Sequence, residues 1–266
     1  MHYVAMNWLF SMEPEVKAAL FTALIGVGLA VGKILWDWHQ KRSERRLEGR
    51  AKLDTYRAPL MAAVHDLGLG IHNIRNRHFL EYLETDRRER AVMTTLFRFA
   101  QFFGWTEIIY GYSDRLRFDD DEATKKVNQF LNDIGRTLST DSLDRADEND
   151  FTTTRLMLWR DEQRAIGELM RQVGDEPRCI GFDSFFRSYK VGFAKWFATF
   201  RDELPNPSTA ASNRFAALQT KLAQLIKELD IDEVLVKRDD AGEIVEPGWA
   251  RPSSIESGSD VVIGTH

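Results

Sequence analysis

The sequence predicts an all-α protein with a single membrane-spanning helix at its amino end and a helical bundle behind it. Three observations carry this. Residues Ala18 to Gly32, AALFTALIGVGLAVG, form fifteen consecutive positions without a charge. A cationic stretch follows: Lys41, Arg42, Arg45, Arg46, Arg50 and Lys52 stand against Glu44 and Glu48, a net of about +4. Beyond it, apolar residues recur at three- and four-residue spacing almost to residue 230.

Counted on to Trp36, the apolar run is nineteen residues long, about 28 Å of helix against a hydrocarbon core of about 30 Å. Lys33 sits near its end, where the stem can lie along lipid while the ammonium reaches the headgroups. Trp36 and Trp38 fall where an interfacial aromatic belt belongs, and Trp8 with Phe10 suits the opposite face. Pro14 fits a first helical position, Ser11 or Glu13 a cap, and Glu15 the positive end of the helix dipole. Basic residues stay on the cytoplasmic side, so the amino terminus is expected outside a bacterial plasma membrane and the body inside. Lys41, Arg42, Arg45 and Arg46 are then placed to meet lipid headgroups. Two other readings compete. A cleaved signal peptide ending at Ala30-Val31-Gly32 would want a basic region ahead of the run, which is missing. A buried core helix of a soluble protein has this ambiguous length as well. Gly28 and Gly32 form a G-x-x-x-G pair that lets two such helices approach and form a homo-oligomer.

The expected organisation is a short extracytoplasmic segment (1–13), the span (14–38), a basic stalk (39–55), the bundle (56–230) and a tail (231–266). With 43 % hydrophobic and 29 % charged residues the body is an ordinary globule. A net charge of −5 disfavours general nucleic-acid binding. The lone Cys179 excludes an internal disulfide and a cysteine-based zinc site.

Six or seven helices are expected. Pro59 disfavours helix at Ala58, so a new one should start there, carrying Leu60, Val64, Leu67 and Ile71, with a break around Asn76 to Phe79. Arg90 to Tyr112 is apolar on nearly all sides and belongs at the centre. The next helix follows Glu122 and carries Val127, Leu131, Ile134 and Leu138. Residues 139–154 read as a polar loop. Leu156 to Val173 and Phe182 to Glu203 read as helices on either side of a turn at 174–177, the second with a core-facing Phe/Trp stripe. After the break at 204–208, Ser208 or Ser212 caps a last helix bearing Phe215, Leu218, Leu222, Leu225 and Leu229. Residues 233–236 and 243–245 are a candidate small hairpin, and disorder is expected from Trp249 onward.

Several stretches resemble an uncharacterised bacterial family of membrane-tethered helical proteins. They are Tyr56-Arg57-Ala58-Pro59-Leu60 with Asp66-Leu67 and Asn73-Ile74; Ala100 through Ile108; Arg160 through Met170, the most distinctive; and Arg214 with Leu218-Gln219 and Leu229-Asp230. The resemblance implies one helical body and brings no activity, cofactor or partner.

The 160–170 segment is the best place to look for chemistry. Arg160 and Arg164 share a helical face with Glu168 and Arg171, either clamping an anion or tying helices together. Arg164 and Glu168 are spaced to pair. Gln101 and Glu107 lie in the most apolar helix, so a buried carboxylate is expected there, needing a partner or a proton. His65 and His72 are seven apart, unlike helical metal ligands, and Gly68-Leu69-Gly70 lacks the setting of a dinucleotide turn. No P-loop or G-x-S-x-G elbow occurs.

The expected function is a non-enzymatic, membrane-anchored interaction module with no catalytic residue, cofactor or metal, with membrane lipid and an unnamed protein as partners. The alternative is an enzyme or a nucleotide or anion sensor with an arginine-lined cleft, in a stress or phage-defence pathway. A second alternative is a membrane-disrupting effector. The arginines discriminate: ion pairs without a pocket favour the module, and an open concavity near Glu107 favours the sensor.

Overall fold

The computed structural model describes residues 13–116, 122–172, 174, 177–230 and 249. Seven α-helices account for most of them: α1 Pro14–Asn76, α2 Arg88–Leu116, α3 Glu122–Ser139, α4 Arg160–Met170, α5 Phe182–Ser188, α6 Ala194–Glu203 and α7 Asn213–Leu229. Two small antiparallel ladders accompany them, β1 Arg145–Asp147 with β2 Asp150–Thr154, and β3 Arg171–Gln172 with β4 Arg178–Cys179. The chain divides into two units, 1–48 and 49–266.

In the first unit α1 begins at Pro14, as its fixed φ favours. From Ile25 to Trp38 its large apolar side chains are exposed at successive positions around the helix, from 49 % at Val31 to 72 % at Trp36. The Thr22 hydroxyl donates to the Ala18 carbonyl at 2.8 Å, which satisfies it within the helix. Among the described residues, however, no helix is long and apolar enough to cross a membrane, so the expected span over 14–38 is not supported. Lys41 is exposed. The side chains of Arg42, Arg45 and Arg46 lie outside the described residues, as do Trp8, Phe10 and the candidate hairpin at 233–245.

In the second unit the helical pattern holds with four corrections. Helix α1 does not restart at Pro59 but continues through it. Proline there forgoes one backbone hydrogen bond, and burial of Leu60, Ala63, Val64, Leu67 and Ile71 outweighs that loss. The loop expected at 139–154 contains the β1–β2 ladder. Residues 155–159 are not helical: α4 starts only at Arg160, and the Leu158 N–H reaches back to the Leu138 carbonyl at 3.0 Å. Finally, Trp249 is buried rather than disordered. Its indole lies where a Cβ on Gly68 would stand, so only glycine fits at 68.

Helix α2 is central, with Val92, Met93, Leu96, Phe99, Phe102, Phe103, Ile108 and Ile109 all buried. Phe99 meets Phe200 of α6 edge-on at 4.9 Å and stacks near Phe215 of α7 at 6.2 Å. Residues 182–203 form one helical run with a π-turn at Tyr189–Phe193 between α5 and α6. Phe185, Phe193, Phe197 and Phe200 from this run enter the core.

Arg214 has no solvent exposure. Its Nε donates to the Arg155 carbonyl at 3.1 Å, Nη2 to those of Thr140 at 2.8 Å and Leu143 at 3.1 Å, and Nη1 to that of Thr137. The Asp144 carboxylate accepts the backbone N–H groups of Asn213 at 2.7 Å and Arg214 at 3.0 Å, and Ser212 Oγ accepts that of Phe215 at 3.1 Å. Together they cap α7. Replacing Arg214 by alanine strips four carbonyls of their donor and empties its volume. The expected loss is about 3–5 kcal/mol, read as a lowered urea midpoint in mild detergent.

Candidate functional site

Helices α2, α3 and α4 enclose a cleft of about 500 Å³. Glycines bring its walls together. A Cβ on Gly104 would stand 2.6 Å from Cys179 Sγ and 2.7 Å from Met170 Cβ, and one on Gly167 would stand 2.7 Å from the Phe103 carbonyl oxygen. Helix α4 therefore packs on α2 at a distance no larger residue allows. A Cβ on Gly135 of α3 would fall on the Arg160 guanidinium. The opening of α4 is fixed by backbone contacts: the Glu162 carboxylate accepts the Trp159 N–H at 2.7 Å, and Gln163 Nε2 donates to the carbonyls of Gly135 at 2.9 Å and Leu158 at 2.8 Å.

The polar groups of the cleft come from all three helices. Glu107 of α2 is 9 % exposed, and among the described residues it accepts no hydrogen bond. Its nearest cation is Arg164, with Nε 3.9 Å from Oε1. Arg164 itself is 67 % exposed. The pairing runs across to α2, not along α4 to Glu168 as the spacing predicts. The Asn132 side-chain oxygen of α3 accepts from Arg160 Nη2 at 3.0 Å and from the Tyr110 hydroxyl at 3.2 Å. Glu168 and Arg171 complete the rim.

Burial raises the Glu107 pKa, opposed by Arg164, reinforced by Glu168, and opposed again by Arg171 and Arg160. Tyr110 is pushed up to about 12, by burial first, so its phenol keeps its proton and remains a donor. Burial also drives the Cys179 thiol up to about 12, which makes it inert as a nucleophile.

Of the residues singled out from sequence, Arg160, Arg164, Glu168, Arg171 and Glu107 meet in this cleft. Gln101, one turn and a half earlier on α2, is half-buried and does not line it. Gly28 and Gly32 have open space where a side chain would be. Tyr110, Asn132 and Gly135 were not anticipated; only the spacing of Tyr110 three residues after Glu107 offered a signal. A wider concavity of about 640 Å³ beside His72, Arg77 and Trp249 gathers fewer charged groups. Among the described residues no group of three or more His, Cys, Asp or Glu is placed to hold a metal ion. No protein-family model, curated protein or solved structure matches the chain.

Two outcomes are expected from this geometry. Gly167→Ala meets backbone and should cost about 1–3 kcal/mol, whereas Gly135→Ala meets side-chain ends and should change stability by less than about 1 kcal/mol, helped by alanine's helix propensity. Paired denaturation curves decide this. For Glu107, the folded chain holds a proton that the unfolded chain has released above the ordinary value of 4.5. Stability therefore falls as pH rises from there until Glu107 ionises in the folded state, and is level above. Glu162 and Glu203, also raised by burial, act in the same direction. Glu107→Gln should make that limb of a stability-against-pH curve shallower.

Proposed function

We propose that this chain is a membrane-tethered helical receptor whose body binds an anionic group in the cleft between α2, α3 and α4. One observation carries the reading: Arg160, Arg164 and Arg171 line an open concavity together with a nearly buried, poorly paired carboxylate at Glu107. Arginines serving only to tie helices together would be spent in buried ion pairs. Arg160 and Arg164 are instead exposed and keep donors free for a phosphate or carboxylate. This favours the sensor over a plain interaction module, and no reaction is assigned to the site.

Tethering is supported by α1. Apolar side chains bare on every side of a helix cost about 25 cal/mol per Å² left in water, and lipid removes that cost. In this proposal residues 14–38 associate with a bacterial plasma membrane, with Lys41, Arg42, Arg45 and Arg46 at the headgroups and the body on the cytoplasmic face. Gly28 and Gly32 leave room for a second copy of the helix.

The test is calorimetric titration of the full chain in mild detergent with inorganic phosphate and with succinate. Saturable binding is expected for at least one, weakened tenfold or more by Arg160→Gln with Arg164→Gln, about 1.4 kcal/mol. Absence of binding for both anions, or indifference to the double substitution, overturns the proposal.

A further inference from the structure

We propose, resting on the anion-binding reading, that the ligand is a compact zwitterion: an anionic group held by Arg160 and Arg164 and an N–H donor, an ammonium, held by Glu107. The cleft needs both halves. Glu107 is nine-tenths buried, accepts no hydrogen bond among the described residues, and stands 3.9 Å from its nearest cation, beyond hydrogen-bond reach. The carboxylate faces the cleft, where a donor on the ligand can reach it.

Its present partner is poorly suited to be that donor. Arg164 is largely exposed, and it is the same guanidinium that an incoming anion would draw away. A simple anion would then set one negative charge beside another, with Glu168 adding a third at the rim. A ligand that delivers an ammonium to Glu107 replaces the pairing it disrupts. The lining supports this reading, since it carries carboxylates of Glu107 and Glu168 among its arginines, an arrangement for a dipolar ligand and not for a polyanion.

Size and surface narrow the class. A volume of about 500 Å³ lies in the small-molecule range. Phe102 and Phe103 are buried where they line the cleft, and Tyr110 is half-buried there. Phosphoethanolamine has the required chemistry: a phosphate, two carbons and an ammonium. It occurs both as a free solute and as a lipid headgroup, and a tethered body would encounter either.

The experiment is a calorimetric titration of the full chain, in detergent free of added lipid, with three probes: O-phosphoethanolamine, phosphocholine, which has no N–H, and inorganic phosphate. Wild-type protein is expected to bind phosphoethanolamine at least tenfold more tightly than phosphocholine. Glu107→Gln, checked for folding by its thermal midpoint, is expected to reduce that ratio to about twofold or less while still binding phosphate. If phosphate binds through the arginines but the ratio is near one in the wild type, or survives in Glu107→Gln, the zwitterion inference is overturned and anion binding stands. If no probe binds, both are overturned. Repeating the phosphoethanolamine titration in nanodiscs with and without phosphatidylethanolamine assigns the source: competition by the lipid supports a headgroup ligand, and unchanged affinity supports a soluble one.

Discussion

The buried guanidinium of Arg214 is the constraint on which the arrangement of the body rests. An arginine without solvent has to place its donors, and here they go to four main-chain carbonyls in α3, in the loop beyond it and in the strand end at Arg155. Helix α3 also buries Val127, Leu131, Ile134 and Leu138, whereas the short polar loop beyond it is held by these bonds. Burial lowers the Arg214 pKa, opposed by Asp144 and Glu203, but a guanidinium starts so high that it stays charged. Its hydrogen bonds reach the cleft indirectly. The carbonyl of Thr137 lies less than two turns from Asn132 and Gly135, and Arg155 leads through Leu158 into α4. Two of the three walls of the cleft are thus linked from behind by one side chain, beside the Gln163 contacts that join them directly.

Much of this fold is legible in the sequence, and what is legible is whatever repeats. The stripe Phe215, Leu218, Leu222, Leu225 and Leu229 is entirely buried, because a single amphipathic face has one way to pack. The apolar character of α2 on nearly every side places it at the centre without further information. Non-repeating features are hidden. Nothing local marks Arg214 as a collector of carbonyls, since its partners lie 59 to 77 residues away. The β1–β2 ladder is shorter than any alternation that could announce it. Pro59 misleads because local backbone preference is a few kcal/mol at most, less than the burial of the face that follows it.

The candidate site shows the same division. The residues of one helix, Arg160 and Arg164, could be grouped from spacing alone, and Glu107 could be recognised as a charge in apolar company. Which carboxylate Arg164 would meet could not be read, because an exposed pair four residues apart is worth only a few tenths of a kcal/mol and yields to any tertiary alternative. In the first unit the apolar run is obvious in sequence, and from Ile25 to Trp38 its large apolar side chains stand exposed in the structure.

The burial of Glu107 follows from packing and not from any need of its own. Helices α2 and α4 lie against each other because Gly104 and Gly167 carry no side chain, and a Cβ at Gly167 would press on Glu107 as well as on the Phe103 carbonyl. The contact that closes the apolar interior therefore also drives a carboxylate out of water, and the helix that drives it supplies only an exposed, distant arginine in return. A protein built for stability alone would place leucine or methionine at 107, since exchanging buried charge for apolar volume is commonly neutral or favourable. That a carboxylate stands there, at the inner end of a cleft rimmed by guanidinium groups, makes sense when its compensation arrives from outside the chain.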